Sequence, residues 1–192
     1  MDTAIPMAMD RAAETQPMAE RVQQALATRD FRIYSSTDVM GVELGGALKN
    51  VIAIGAGAAD GMGFGHNSKA GLMTRGLAEI TRLAVAMGAR PETMAGLSGM
   101  GDLILTCTGD LSRNRQVGEK LAKGQTMEQL RREMRQVAEG VATSQSVYEL
   151  SDREGVEMPI AEQVYRVVHE NVSVPDAMEA LLARELKPEW DL

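Results

Sequence analysis

From Asp38 to Ala59 the chain reads DVMGVELGGALKNVIAIGAGAA, a small and aliphatic run long enough for about six turns of helix. Ser36 or Thr37 can cap its start, and the glycine-rich DGMGFGHN at 60–67 ends it. A segment this apolar has to be buried, so the lysine in its middle, Lys49, is an anomaly. An ammonium is expensive to bury unless something satisfies it.

Downstream of this run the sequence reads as helix and loop. Helical spacing predicts elements over 68–87, then a short one restarted by Pro91, then 113–123, 126–134, 140–153, 159–170 and 175–183. Pro159 and Pro175 fall at first-turn positions of the last two. Upstream, TAIPMAMD (3–10) reads as a strand that Pro6 confines to an edge or a distorted position. Residues 17–28 place Met18, Val22, Ala25 and Leu26 at helical spacing, and FRIYS (31–35) alternates as a half-buried strand does. The first 36 residues are thus predicted to be strand, helix, strand, and the fold as a whole mainly α.

At 192 residues with 44% hydrophobic content, the chain has material for one domain with a core, or one domain and a fragment of a second. Aromatics are only 3% of the chain against 14 methionines, which calls for an aliphatic, Met-filled core and leaves no stacking platform for bases. The net charge of −7 argues against nucleic-acid binding, which needs a basic surface. No stretch of 18 or more residues is free of charged groups, so no membrane insertion is expected. A single cysteine, Cys107, and an N-terminus without signal-peptide features point to the cytoplasm. Cys107 follows Thr106 in an apolar stretch and reads as a buried, inert thiol.

The glycines of GAGAADGMGFGH (55–66) invite comparison with a dinucleotide fingerprint, but no triplet there fits G-x-G-x-x-G, and the segment follows a helix rather than a strand. It reads as a turn. Two histidines, His66 and His169, and no spaced cysteine or carboxylate cluster give a metal site little support. Arg75, Glu79 and Arg82 lie on one helical face and read as a salt-bridged surface.

On its helix Lys49 has Gly45, Gly46, Ile52 and Ala53 as neighbours, so no acidic residue of that face can pair with it. Two readings stand side by side. The lysine snorkels to water from a partly exposed helix; or the glycines clear room for a ligand and apolar surroundings tune the amine for proton transfer, with Asn50 adding a donor and acceptor beside it. A second constellation lies in GMGDLILTCTGDLSRNRQVG (99–118). Ser112 can cap a helix whose first turn holds Arg113, Asn114 and Arg115, cations of the wrong sign for a helix N-terminus. Either an anion such as a phosphate ester sits there, or the turn is a solvated basic patch paired with Asp110. Asp102, in the glycine-rich lead-in, is placed to orient a lysine or a substrate hydroxyl, or simply to cap a loop.

GVELGGALKNVIAIGAGAADGMGFGHNSKAGLMTRGLAEITRL, then GLSGMGDLILTCTGDLSRNRQVG, QVAEGVAT and GVEMPIAEQVY together resemble the C-terminal part of the bacterial NAD(P)-dependent glycerol-3-phosphate dehydrogenases, in order from about Thr3 to Leu186. The resemblance implies an all-α substrate domain over 37–192, of the kind shared with 6-phosphogluconate dehydrogenase. Residues 1–36 would be the remnant of a Rossmann-type dinucleotide-binding domain. It further implies that Lys49 exchanges a proton with the C2 oxygen while hydride passes between C2 and the nicotinamide. Asn50, Asp102, Ser112, Arg113 and Asn114 fall with Lys49 at substrate-binding positions, and Arg113, Val137 and Glu139 at cofactor-binding ones. The substrate would be sn-glycerol 3-phosphate or dihydroxyacetone phosphate, the cofactor NAD or NADP with no preference decidable. The setting would be phospholipid precursor synthesis by a cytoplasmic, possibly homodimeric enzyme. Family members carry a longer front section with the glycine fingerprint and a second substrate-binding lysine, so this chain alone is expected to lack turnover. The alternative is a non-enzymatic fragment that binds phosphate or associates with a partner subunit.

Overall fold

The computed structural model describes residues 11–12, 16–134, 138–186 and 188. Its axis is α2, Val39–Gly61, which packs against α3 (His66–Ala86), α5 (Asp102–Thr108), α6 (Arg113–Ala122), α8 (Glu139–Glu154) and α9 (Pro159–His169). Short α4 (Pro91–Ala95), α7 (Met127–Glu133) and α10 (Val174–Leu182) complete the helical body. Burying Leu48, Ile52 and Ile54 of α2 contributes roughly 1.5–3 kcal/mol apiece. They meet Ile80, Leu83 and Ala84 of α3 and Ile160, Ala161, Val164 and Val168 of α9, each set at helical spacing. By length and composition α2 is apolar enough to cross a membrane, yet 56% of the qualifying window lies inside the protein, as befits a core helix.

The cap of α2 is Asp38 rather than Ser36 or Thr37. Its carboxylate accepts from Gly41 N at 3.0 Å, Arg90 N at 2.9 Å and Thr93 Oγ1 at 2.6 Å, tying the start of α2 to α4. Burial by itself would raise this acid, but the hydrogen bonds from Thr93, Arg90 and Gly41, with the Arg90 charge, hold it below the ordinary aspartate value. Other helices carry the expected punctuation: a capping box of Thr126 and Gln129 opens α7, and Gly155 at φ +66° closes α8 in the left-handed region.

Four expectations are corrected. The glycines at 55–61 belong to the helix, not a turn. A Cβ at Gly57 would overlap the Arg115 carbonyl oxygen, and one at Gly118 that of Ile54, so these two glycines let α2 and α6 approach backbone to backbone. Strand β2 is only Ser35–Ser36, and Phe31–Tyr34 are not part of a ladder. It pairs in parallel with β1, Arg11–Ala12, across α1 (Gln16–Leu26), and among the described residues the sheet has these two strands, which support little regular pairing. The strand predicted at 3–10 lies outside the described residues. Helix α5 and the π-helical turn Leu97–Gly101 before it occupy what read as a glycine-rich loop. Finally, Glu79 is not a surface ion-pair member: it is 2% exposed and accepts from the N–H groups of Ile160 at 2.8 Å and Ala161 at 3.2 Å, capping α9 from α3. Burial pushes it up to about 7, against those hydrogen bonds and the charges of Arg82 and Arg184.

Cys107 is fully buried, and burial pushes its thiol up to about 12, which makes it the inert thiol the sequence predicts.

Candidate functional site

Lys49 lies in the middle of α2 with a side chain 19% exposed. One of the two glycines beside it is filled and the other is not. The carbonyl oxygen of Ser98, in the π-helical turn, stands 2.5 Å from where a Gly45 Cβ would be, while nothing lies within 4 Å of one at Gly46. The first vacancy seats the π-helical turn against α2. The second leaves open space on α2 one turn before Lys49.

Seating that turn delivers Asp102, the first residue of α5, to Lys49, and Asp102 Oδ2 accepts from Lys49 Nζ. The π-helical turn passes directly into α5 here, so the Asp102 N–H is already bonded within the helix to Gly99 and Leu97 carbonyls and the carboxylate's charged partner is the lysine. Thr106 Oγ1 donates to the Asp102 carbonyl at 2.6 Å, with the carboxylate Oδ1 at 3.4 Å. The lysine is therefore neither loose in solvent nor alone in an apolar cleft: it is held by a carboxylate 53 positions away in sequence. Ser98 Oγ, buried alongside, has no hydrogen-bond partner in the described structure.

Asn50 and Asn114 join the lysine helix to α6 and α8. Asn114 Nδ2 donates to Asn50 Oδ1 at 2.9 Å, and Asn114 Oδ1 accepts from Gly140 N, at the start of α8, also at 2.9 Å. Asn50 Nδ2 reaches back to the Gly46 carbonyl at 3.3 Å. Both asparagines are buried, so these amides brace three helices beneath the site.

At the head of α6, Ser112 Oγ accepts from Arg115 N at 3.3 Å, the predicted cap. The two arginines of this turn have different surroundings. Arg115 is 13% exposed and bound to Asp60 and Asp110. Arg113 is 45% exposed, its Nη2 3.7 Å from Oε1 of Glu139, the first residue of α8. Of the residues named from the sequence, Lys49 and Asp102 pair directly, Asn50 and Asn114 pair directly, and Arg113 and Glu139 face each other. Val137 lies outside the described residues. Sequence reasoning missed Ser98, Thr106 and Gly140; the glycine pair at 45 and 46 was the one signal that something packs closely there. A groove of about 1140 Å³ between α3 and α10, lined by Leu72, Glu79, Ile160 and Leu181 among others, contains none of the candidate residues. The candidate site lies apart from that groove.

Comparison with known proteins places this geometry among relatives. Residues 38–179 match the family model described as NAD-dependent glycerol-3-phosphate dehydrogenase C-terminus. A glycerol-3-phosphate dehydrogenase (NAD(P)+) of Citrifermentans bemidjiense is 57% identical over 185 residues, covering 96% of this chain and 55% of the relative. That of Oleidesulfovibrio alaskensis is 57% identical over 189 residues, covering 98% and 56%. The crystal structure of glycerol-3-phosphate dehydrogenase from Coxiella burnetii superposes with a TM-score of 0.88 at 38% identity, over 93% of this chain and 55% of that one. The chain thus spans about half the length of the curated relatives it matches.

Proposed function

The chain belongs to the NAD-dependent glycerol-3-phosphate dehydrogenase family, in its C-terminal part, and on that premise we propose that it carries the substrate-binding and proton-transfer half of that reaction. The observation that carries the proposal is the Lys49–Asp102 pair, set on the same helix as the Asn50–Asn114 link that anchors the Arg113 turn. In reduction of dihydroxyacetone phosphate, Lys49 gives a proton from Nζ to the C2 oxygen as hydride arrives at C2; in oxidation of glycerol 3-phosphate it takes that proton back. Asp102 holds the ammonium in place and balances its charge through the exchange. Arg113 and the capped first turn of α6 grip the phosphate, since a guanidinium and a helix N-terminus both suit an anion. Ser112, Asn114 and Asn50 line and brace that turn.

NAD or NADP, when bound, would supply the hydride in its reduced form and accept it in its oxidised form. The residues present fit one edge of such a cofactor: half-exposed Arg113 and exposed Glu139 lie together at the heads of α6 and α8. There a guanidinium suits pyrophosphate and a carboxylate suits ribose hydroxyls. Val137 falls at a cofactor-binding position by resemblance and is proposed for that role on that ground alone. A wall is not a whole site, so turnover by these 192 residues alone is not expected. The same reading extends to glycerophospholipid precursor supply in the cytoplasm, in keeping with the acidic composition, and to a homodimer. Exposed Leu97, Met100, Ile104, Leu105 and Leu111 offer apolar surface for association.

Calorimetry with glycerol 3-phosphate tests the proposal. The wild-type chain is expected to bind, and Arg113→Ala to bind more weakly by about 1.5–3 kcal/mol, the worth of a charge-assisted contact. No heat of binding in the wild type, or an unchanged affinity in the variant, contradicts it.

A further inference from the structure

Three charged residues sit at helix ends where the backbone dipole opposes them. Asp60 is in the last turn of α2, Lys69 in the first turn of α3, and Arg115 in the first turn of α6. They satisfy one another. Lys69 Nζ lies 2.6 Å from Asp60 Oδ1 and Arg115 Nη1 2.9 Å from Asp60 Oδ2, with all three side chains 13–17% exposed. Local helix energetics do not explain such placements, so their worth lies in what they join.

The Arg115 guanidinium has a second set of partners. Its Nε donates to the Gly109 carbonyl at 3.3 Å and its Nη2 to Asp110 Oδ1 at 3.0 Å, while Ser112 N donates to the same Gly109 carbonyl at 3.1 Å. One planar fork therefore ties the end of α2 to the connection that leads into Ser112, Arg113 and Asn114. Asp110 is 96% exposed, so the Asp60 and Gly109 contacts carry most of the grip. Glu119, 3.7 Å from Arg115 Nη1, is itself engaged by Lys123 at 2.6 Å.

We infer that Arg115 is the positioning residue of the phosphate-ester site: anchored by Asp60, which Lys69 anchors in turn, it fixes the 109–114 turn so that Arg113 faces the ligand. The inference rests on the proposed function for its ligand but not for its geometry. Arg115 itself touches no ligand in this scheme.

The test uses Arg115→Lys and Asp60→Asn in the 192-residue chain. Amide hydrogen exchange is read at position 115, whose N–H Ser112 Oγ accepts, at Gly140, whose N–H Asn114 Oδ1 accepts, and at Leu83 in the core. Glycerol 3-phosphate affinity is read by calorimetry. A lysine retains the charge facing Asp60 but lacks the fork that reaches Gly109. Arg115→Lys is therefore expected to leave Leu83 exchange at the wild-type rate while speeding exchange at position 115 and weakening ester affinity, each roughly tenfold. Asp60→Asn is expected to act in the same direction. A role in stability alone predicts a different pattern, with exchange at Leu83 sped as much as at position 115. Wild-type exchange rates at position 115 and Gly140 in both variants overturn the inference. Failure of the wild-type chain to bind ester refutes the proposed function instead, and the exchange comparison still decides the role of Arg115.

Discussion

Gly140 and Gly46 offer the same substitution with opposite expected outcomes. A Cβ on Gly140 would lie 2.6 Å from the Asn50 carbonyl oxygen and 2.7 Å from Asn114 Oδ1, whereas about 3.3 Å is the closest comfortable carbon–oxygen approach. The shortfall of about 0.7 Å has no soft partner to absorb it: one oxygen is backbone in the core helix, and the other belongs to an amide whose Nδ2 donates to Asn50 while its Oδ1 accepts from Gly140. Helix α8 must shift, which costs about 1–3 kcal/mol in overpacking and about 1 kcal/mol in the weakened Gly140 N–H bond. The gain in helix propensity from alanine offsets up to about 1 kcal/mol. Gly140→Ala is therefore expected to destabilise by about 2 kcal/mol net, or roughly 4–8 °C in Tm for a chain of this size. At Gly46, where nothing lies within 4 Å, the same change keeps only the propensity gain, about 0.5–1 kcal/mol of added stability. Urea and thermal unfolding of the two variants measure both. If both substitutions stabilise, or Gly140→Ala leaves Tm unchanged, α8 does not seat on the Asn50–Asn114 link as described.

Glu79 titrates at about 7 in the folded chain against an ordinary 4.5, so over that interval the folded state keeps a proton the unfolded state has released. Its stabilising protonated form is complete below about 4.5 and lost as pH rises through about 7. The unfolding free energy from urea titrations is expected to fall across that window by an amount on the order of a few kcal/mol and to level off above it, and Glu79→Gln should flatten the slope. An identical slope in the variant would assign the effect to another group. Cys107, buried and pushed up to about 12, is expected to react with a thiol reagent at neutral pH only as fast as the chain unfolds, and rapid native-state labelling would contradict its placement.

Much of the helical body was legible because its signals are local. The unbroken apolar run announces α2, and Pro159 and Pro175 mark first turns that the structure places at Pro159 and one residue earlier, at Val174. Cys107 was legible from its apolar flanks. What failed depends on partners distant in sequence. Phe31–Tyr34 alternate correctly but join no ladder among the described residues, and the glycines before Asp102 suggested a loop where packing against α2 enforces helix. The Arg75, Glu79 and Arg82 spacing fits a surface ion-pair face as well as a buried cap, and nothing local reveals that the head of α9 lies over Glu79. In the site, the sequence exposed the oddity of Lys49 and offered Asp102 as one partner for a lysine, while the 53-residue separation left the pairing to the fold. It also grouped Arg113 with Arg115, which the fold separates into a half-exposed guanidinium and a largely buried clamp.

The most direct measurement is a crystal structure of the chain with glycerol 3-phosphate bound. The phosphate is expected against the Arg113 guanidinium and the first turn of α6, with the C2 hydroxyl within about 3 Å of Lys49 Nζ and Asp102 still on the ammonium. Ester bound elsewhere, for instance in the groove between α3 and α10, or a Lys49 side chain swung away from both Asp102 and the ligand, would contradict the assignment of proton transfer to Lys49.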